Sequence, residues 1–336
     1  MKQNLPHQNP MAGVITLIYH RVEKVDTNPW GICVSPQNFE QQVCFLKENF
    51  NVISVDELEV GMVSGSSVEN SVCITFDDGY ADNYIHAKPI LEKYNCAAVF
   101  FIATSFINQT NPFWWDELET IFLHSKKLPP QLNIRIGNDN LSYTLNGNEL
   151  TKQQWLQHKK WKWHQLPPTD RCKIFFSIWE KLTALTFEKV VIVINELNQW
   201  SCIDKKEYPV RLPMNADQLN EFSKNDLFTF AMHTHTHCDL SQQKKQIQLE
   251  EINVCKTFLR TKFDMESPYF SYPFGRYNSD TIQIVKELQF KACFTTDAVL
   301  LNKAPNKFLL GRFQPMNWNK NTFKKHLDVW LCQSGR

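Results

Sequence analysis

Two short stretches of this 336-residue chain concentrate side chains able to do acid–base or metal chemistry. The first is Thr75-Phe76-Asp77-Asp78-Gly79-Tyr80, which sets two adjacent carboxylates directly after the apolar run SVCIT. In a β/α barrel the C-terminal ends of the strands are where the chemistry is placed, and the following glycine permits a sharp turn. The second is His233-Thr234-His235-Thr236-His237, which closes another apolar run and holds three of the ten histidines. If that segment is helical, His233 and His237 share a face at i, i+4, the spacing of metal ligands; if it is extended, all three histidines share one face. Two imidazoles with a carboxylate make a nitrogen/oxygen donor set that leaves room for water, which suits a catalytic divalent metal.

The elements that must position these residues alternate along the chain. GVITLIYH (13–20), NVISV (51–55), SVCITF (71–76), AAVFFIA (97–103), FTFAMH (228–233), YFSYP (269–273), ACFTTD (292–297) and FLLGRF (308–313) read as buried strands. Ser35-Pro36 opens a helix with Phe39, Val43 and Leu46 on one stripe, and helices are expected over 240–263 and from Asn278. Strands spaced by helices predict a parallel α/β architecture, and so many repeats predict barrel-like closure. The alternation breaks over 110–208, which holds seven of the ten tryptophans and a polar alternating run that reads as a hairpin. An insertion is the natural reading. Its tryptophans, Trp114 and Trp115 foremost, are candidates either for stacking on a sugar or for filling a core.

Composition narrows the function classes. The 36 basic residues nearly balance the 35 acidic ones, so the basic surface expected of a nucleic-acid binder is missing. No run reaches the ~18 to 20 apolar residues of a membrane span. The apolar run starting at Met11 is short and leads into Tyr19, His20 and Arg21 rather than a small-residue cleavage site. The ten cysteines are scattered without a CxxC pair, which predicts a reduced, cytoplasmic protein.

The TFDDGY stretch, HTHTH followed by Cys238-Asp239-Leu240-Ser241, and the FSYPFG stretch (270–275) resemble the three motifs of the polysaccharide deacetylases, metal-dependent carbohydrate esterases built on the NodB homology domain. The likeness covers about 12–104 and 210–315. It implies a distorted (β/α) barrel of the NodB type, with 1–11 as an arm, 12–336 as the catalytic domain and 110–208 inserted in it. It further implies that Asp77 is the general base, and that Asp78, His233 and His237 hold a divalent ion, zinc foremost. His235 would be structural. The third motif places Tyr272 and Phe274 beside the substrate, with the Phe274 N–H, exposed by the Pro273–Gly275 turn, as oxyanion donor.

Two departures stand out. Ser271 occupies the position where the family has an arginine that orients the aspartate, and Arg312, in FLLGRF, could replace it from a neighbouring strand. No LxH-type motif supplies the usual general acid; His20, delivered by ITLIY to the end of the first strand, is the candidate. The implied reaction is removal of an N-acetyl or N-formyl group from an amino sugar. A cytoplasmic setting fits a nucleotide-linked or lipid-linked sugar, or a short glycoside, in surface-polysaccharide biosynthesis. The rival is a non-catalytic carbohydrate-binding or partner-binding protein on the same scaffold, which would be expected to have lost Asp77 or a ligand.

Overall fold

The computed structural model describes residues 14–64, 70–204, 211–301 and 305–332, so the expected arm at 1–11 lies outside the described residues. β1 (Val14–Tyr19) pairs in parallel with β5 (Ser71–Phe76) along its whole length. The other edge of β5 is shared: its start pairs with β4 (Asn51–Ile53) and its end with β6 (Ala98–Ile102). β9 (Phe228–Met232), β10 (Tyr269–Ser271) and β11 (Ala292–Phe294) follow, all parallel. A two-residue pair, β2 (Arg21–Val22) with β3 (Cys33–Val34), stands beside this sheet. The sheet curls, and 308–313 crosses the gap between its edges. Leu310 bridges to Phe294 of β11 and Phe313 to Leu17 of β1, giving the distorted barrel expected from the alternation.

Parity along each strand decides what faces inward. Val14, Cys73, Val99, Phe101, Ala231, Tyr269, Ala292, Phe294 and Leu310 form one buried interior cluster. Their alternates, such as Leu17, Ile74, Phe76, Phe100 and Phe230, pack outward against the helices. Extending the inward parity past the last apolar residue reaches Thr75 on β5 and Asp77 just after it, His233 after β9, Ser271 on β10 and Arg312 on the closing segment. Polar chemistry therefore caps the C-terminal end of an apolar barrel interior.

α1 (Pro36–Asn49) starts where the sequence places it, with the Ser35 hydroxyl accepting from the Asn38 N–H. α2 (Val55–Ser64) and α3 (Lys88–Lys93) follow β4 and β5. The helix expected over 240–263 is shorter: α9 spans Lys245–Phe263, because Asp239 takes the Ser241 N–H and hydroxyl into a separate single turn. Residues 110–201, within the segment expected to be inserted, form further elements. α4 (Trp114–Glu119), the hairpin of β7 (Gln131–Ile136) and β8 (Asp139–Thr144), α5 (Lys152–Lys160), α6 (Asp170–Thr183) and α7 (Phe187–Ser201) pack around a core of their own. Leu132, Ile134 and Ile136 are the buried alternates of β7, and Gly137, at φ +61°, permits the turn. α8 (Ala216–Phe222), α10 (Ser279–Glu287) and α11 (Lys320–Cys332) complete the outer layer. No described helix is long and apolar enough to cross a membrane.

A buried ionic network ties this insertion to the barrel. Arg21 Nε donates to Asp82 Oδ2 at 2.9 Å, while Arg211 Nη1 lies 2.9 Å from Glu119 and 3.3 Å from Asp116. Burial alone would raise the Glu119 pKa, but Arg211 and the hydrogen bonds of His124 and Thr27 hold it at about 2. Breaking such a pair strands a charge in low dielectric. Arg211→Met is expected to lose ~3 to 5 kcal/mol in urea unfolding at neutral pH. Because Glu119 titrates lower folded than unfolded, its contribution is complete above its ordinary value of 4.5 and declines as pH falls toward 2. A loss within ~0.5 kcal/mol, the range of an ordinary surface change, would show that the network carries little.

Candidate active site

Asp77 and Arg312 meet at the end of the barrel. The guanidinium grips the carboxylate through both terminal nitrogens, Nη1 to Oδ1 at 2.7 Å and Nη2 to Oδ2 at 2.8 Å. Its Nε donates to the Thr295 carbonyl and Nη1 also to Thr75 Oγ1, so the fork is fixed at both ends. Arg312 is 1% exposed. The Ser271 hydroxyl accepts from Nη2 and donates to Asp77 Oδ2 at 3.0 Å. The serine is small enough to share the space that Arg312 enters from the neighbouring closing segment. Burial would raise the Asp77 pKa, but Arg312 and His233 outweigh it and hold the carboxyl below its ordinary value. A carboxylate is thereby present to accept a proton, with one lone-pair site on Oδ1 left beyond the bonds to Arg312 and Ser271.

The HTHTH segment is neither helix nor strand. The open choice between those two is resolved by a loop with two left-handed residues, Thr234 (φ +63°) and His237 (φ +56°). That backbone is unfavourable for a β-branched threonine. It is held by Thr234 Oγ1, which accepts the His237 N–H, and by Glu251 of α9, which accepts from the His235 and Thr236 N–H groups and the Thr236 hydroxyl. His235 turns aside to Thr104. The result brings His233 Nε2 to 3.5 Å and His237 Nε2 to 3.2 Å from Asp78 Oδ1. Asp78 (φ +73°) and Phe274 (φ +57°) are also left-handed, so four strained residues surround one point, a pattern of functional sites.

Asp78, His233 and His237 offer three ligand atoms within 4.8 Å of one another, all buried. Asp78 Oδ1 has no hydrogen-bond partner among the described residues although it is buried. A buried orphan oxygen facing two imidazole nitrogens is poorly satisfied by protein alone and fits a divalent cation. His233 Nδ1 donates to the Ser271 carbonyl at 2.8 Å, which fixes the tautomer that leaves Nε2 free. The ligand set carried over from sequence is thus brought together, and Arg312 stands against Asp77.

His20 follows β1, with its Nδ1 buried and without a hydrogen-bond partner among the described residues. Burial lowers its pKa, while the charges of Asp78 and Asp77 pull the other way, so the ring lies within electrostatic reach of both. Phe274 is half-buried, its ring 4.7 Å from that of His237.

Three expected substrate contacts are corrected. Tyr272 has the outward parity of β10, is fully buried and donates to the Phe308 carbonyl, so it faces away from the site. Trp114 and Trp115 belong to the buried core of the insertion, 6% and 5% exposed, and present no open face to a sugar. Sequence reasoning missed the hydroxyls of Thr75 and Ser271, the carboxylate of Glu251 and the contact of Trp115 with His237. No spacing rule links these residues, since each reaches the site from a different element.

A family model described as polysaccharide deacetylase matches residues 64–126 and 193–293, leaving 127–192 unmatched inside the expected insertion. The poly-beta-1,6-N-acetyl-D-glucosamine N-deacetylase of Escherichia coli (strain K12) is 19% identical over 295 residues, 87% of this chain. This chain spans about a third of that relative's length, 35%. Among solved structures, IcaB from Ammonifex degensii superposes with a TM-score of 0.59 at 15% identity, covering 95% of this chain and 97% of that one. The Streptococcus pyogenes deacetylase PplD in complex with acetate gives 0.57 at 18% identity, covering 94% and 98%. These likenesses place the fold.

Two outcomes test the geometry. Zinc or cobalt binding, followed by metal analysis, should be lost in His233→Ala and in His237→Ala; full occupancy in both would remove them as ligands. Arg312→Lys keeps the charge but not the fork. It should keep its metal while turnover falls at least ~100-fold, the scale of a misaligned general base. Unchanged turnover in a folded Lys variant would show that the fork does not position Asp77.

Proposed function

Because this chain belongs to the polysaccharide deacetylase family, we propose that it is a metal-dependent hydrolase that removes the N-acetyl group, or an N-formyl group, from an amino sugar. The observation that carries this reading is the Arg312-held carboxylate of Asp77 beside the convergent donors of Asp78, His233 and His237. A binding protein without catalysis would have no need of a buried, ionised carboxylate aimed at that point.

Asp78, His233 and His237 would hold the divalent ion, with zinc as the first candidate. When bound, that ion polarises the amide carbonyl and lowers the pKa of water. Asp77 takes the proton from water as its oxygen attacks the acyl carbon. Arg312 and the Ser271 hydroxyl keep the carboxylate fixed while its charge falls. The Phe274 N–H, at the corner of the Pro273–Gly275 turn, would donate to the developing oxyanion. His20 delivers a proton to the departing nitrogen as the C–N bond breaks, giving a free amino sugar and the carboxylic acid.

The donors are deeply set: Asp77, Asp78 and His233 are under 5% exposed and His237 is 7% exposed. So enclosed a site supports a short glycoside, a chain end or a carrier-linked sugar, the carrier being a nucleotide or a lipid. All ten cysteines are unpaired, which supports a reducing, cytoplasmic setting.

Asp77→Asn should retain its metal and lose at least ~100-fold in turnover; near-normal activity would remove Asp77 from the mechanism. His20→Asn should cost ~100-fold on an N-acetyl sugar and far less on an aryl acetate ester, whose leaving group needs no proton. Equal losses on both substrates would exclude His20 as the acid. Mass spectrometry of β-1,6-linked N-acetylglucosamine oligomers and nucleotide-linked and lipid-linked sugars should show the shortest or carrier-linked species consumed first. Faster hydrolysis of long polymer would sink the enclosed-site reading.

A further inference from the structure

The two histidines of the donor set are held by different means. His233 has its Nδ1–H fixed on the Ser271 carbonyl. His237 has no such anchor: its Nδ1 is buried and without a hydrogen-bond partner among the described residues. A metal-binding imidazole is ordinarily oriented through its second nitrogen. The His237 ring instead contacts two aromatic rings. Trp115 stands 4.7 Å away at an interplanar angle of 50°, and Phe274 stands 4.7 Å away at 75°.

Both rings are backed by the insertion. Trp115 stacks on Phe113 at 4.7 Å and 16°, and its Nε1–H donates to the Tyr80 hydroxyl at 2.7 Å. Tyr80 passes a hydrogen bond on to Asp116 Oδ2 at 2.9 Å, and Asp116 is gripped by Arg211. Phe274 packs edge-on against Trp179 of α6 at 5.8 Å. Packed rings restrict rotation, because a turn of the imidazole pushes against neighbours already in contact with it.

We propose that Trp115, together with Phe274, is a positioning residue for His237. The insertion thereby completes the metal site, substituting an aromatic clasp for the missing hydrogen bond. This rests on the assignment of His237 as a ligand. It makes Trp115 the point where a segment outside the barrel sets the geometry of a residue inside it.

The test uses cobalt(II) as the probe, read by its visible absorption and by chelator competition. The variants are Trp115→Leu, Trp115→Phe, Phe274→Leu and, as control, Trp161→Leu. Trp161 belongs to the same buried cluster but packs on Phe175. Trp115→Leu is expected to weaken cobalt binding ~10- to 100-fold, the usual effect of losing an outer-sphere support, and to alter the absorption band. Phe274→Leu, at a half-buried position, should shift both readouts in the same direction. Trp115→Phe, which keeps a ring, should stay close to wild type, and Trp161→Leu should lower thermal stability without touching either readout. Wild-type affinity and spectrum in Phe274→Leu and in a folded Trp115→Leu would overturn the clasp. So would an equal loss in Trp161→Leu, which would reduce the effect to general destabilisation. Failure of the wild-type protein to bind cobalt would overturn the metal reading itself, and so is distinguishable from failure of the clasp alone.

Discussion

The bidentate pair of Arg312 and Asp77 is the constraint on which the site depends. Burying either charge alone would be costly, and the pair is tolerable only because the guanidinium is satisfied on every side. Thr295, Thr75, Ser271 and Asp77 together take up its donors. That requirement reaches back into the topology. Arg312 can enter the barrel only because 308–313 crosses between β11 and β1 with Leu310 and Arg312 on the inward parity. Closure of the sheet and support of the carboxylate are therefore one structural event.

The same parity separates chemistry from packing within single strands. Ser271 and Tyr272 are neighbours, yet one shares a hydrogen bond with Asp77 and the other donates outward to Phe308. A shift of one residue in the register of β10 would exchange them and place a large ring where the Arg312 fork lies. The apolar interior beneath, with Phe101 and Phe294 under the guanidinium at 5.6 and 5.8 Å, excludes water from the pair and strengthens it.

The insertion is bound to this barrel by charges as well as by apolar packing. Arg21, Asp82, Asp116, Glu119 and Arg211 form a buried set that an isolated insertion could not satisfy. Directional partners of this kind fix where α4 sits, and with it the ring of Trp115 beside His237. Apolar contacts alone would allow more sliding between the two cores, since the hydrophobic effect is not directional.

The sequence determined the parallel α/β class, the helix cap at Ser35-Pro36, the hairpin in the insertion and the residues of both motifs. These follow from period-2 and period-3.6 patterning, from local capping chemistry and from donor types set close together, all of which are short-range properties. It also singled out Arg312, because a missing arginine at Ser271 left a carboxylate needing support. It could not decide the shape of the HTHTH loop, which depends on Glu251 reaching over from α9 to hold two left-handed residues. Nor could it orient Trp115, which local pattern leaves equally suited to a sugar face or a core. That choice was made by the tertiary structure, where Tyr80 and His237 converge from separate segments on the indole, which is buried.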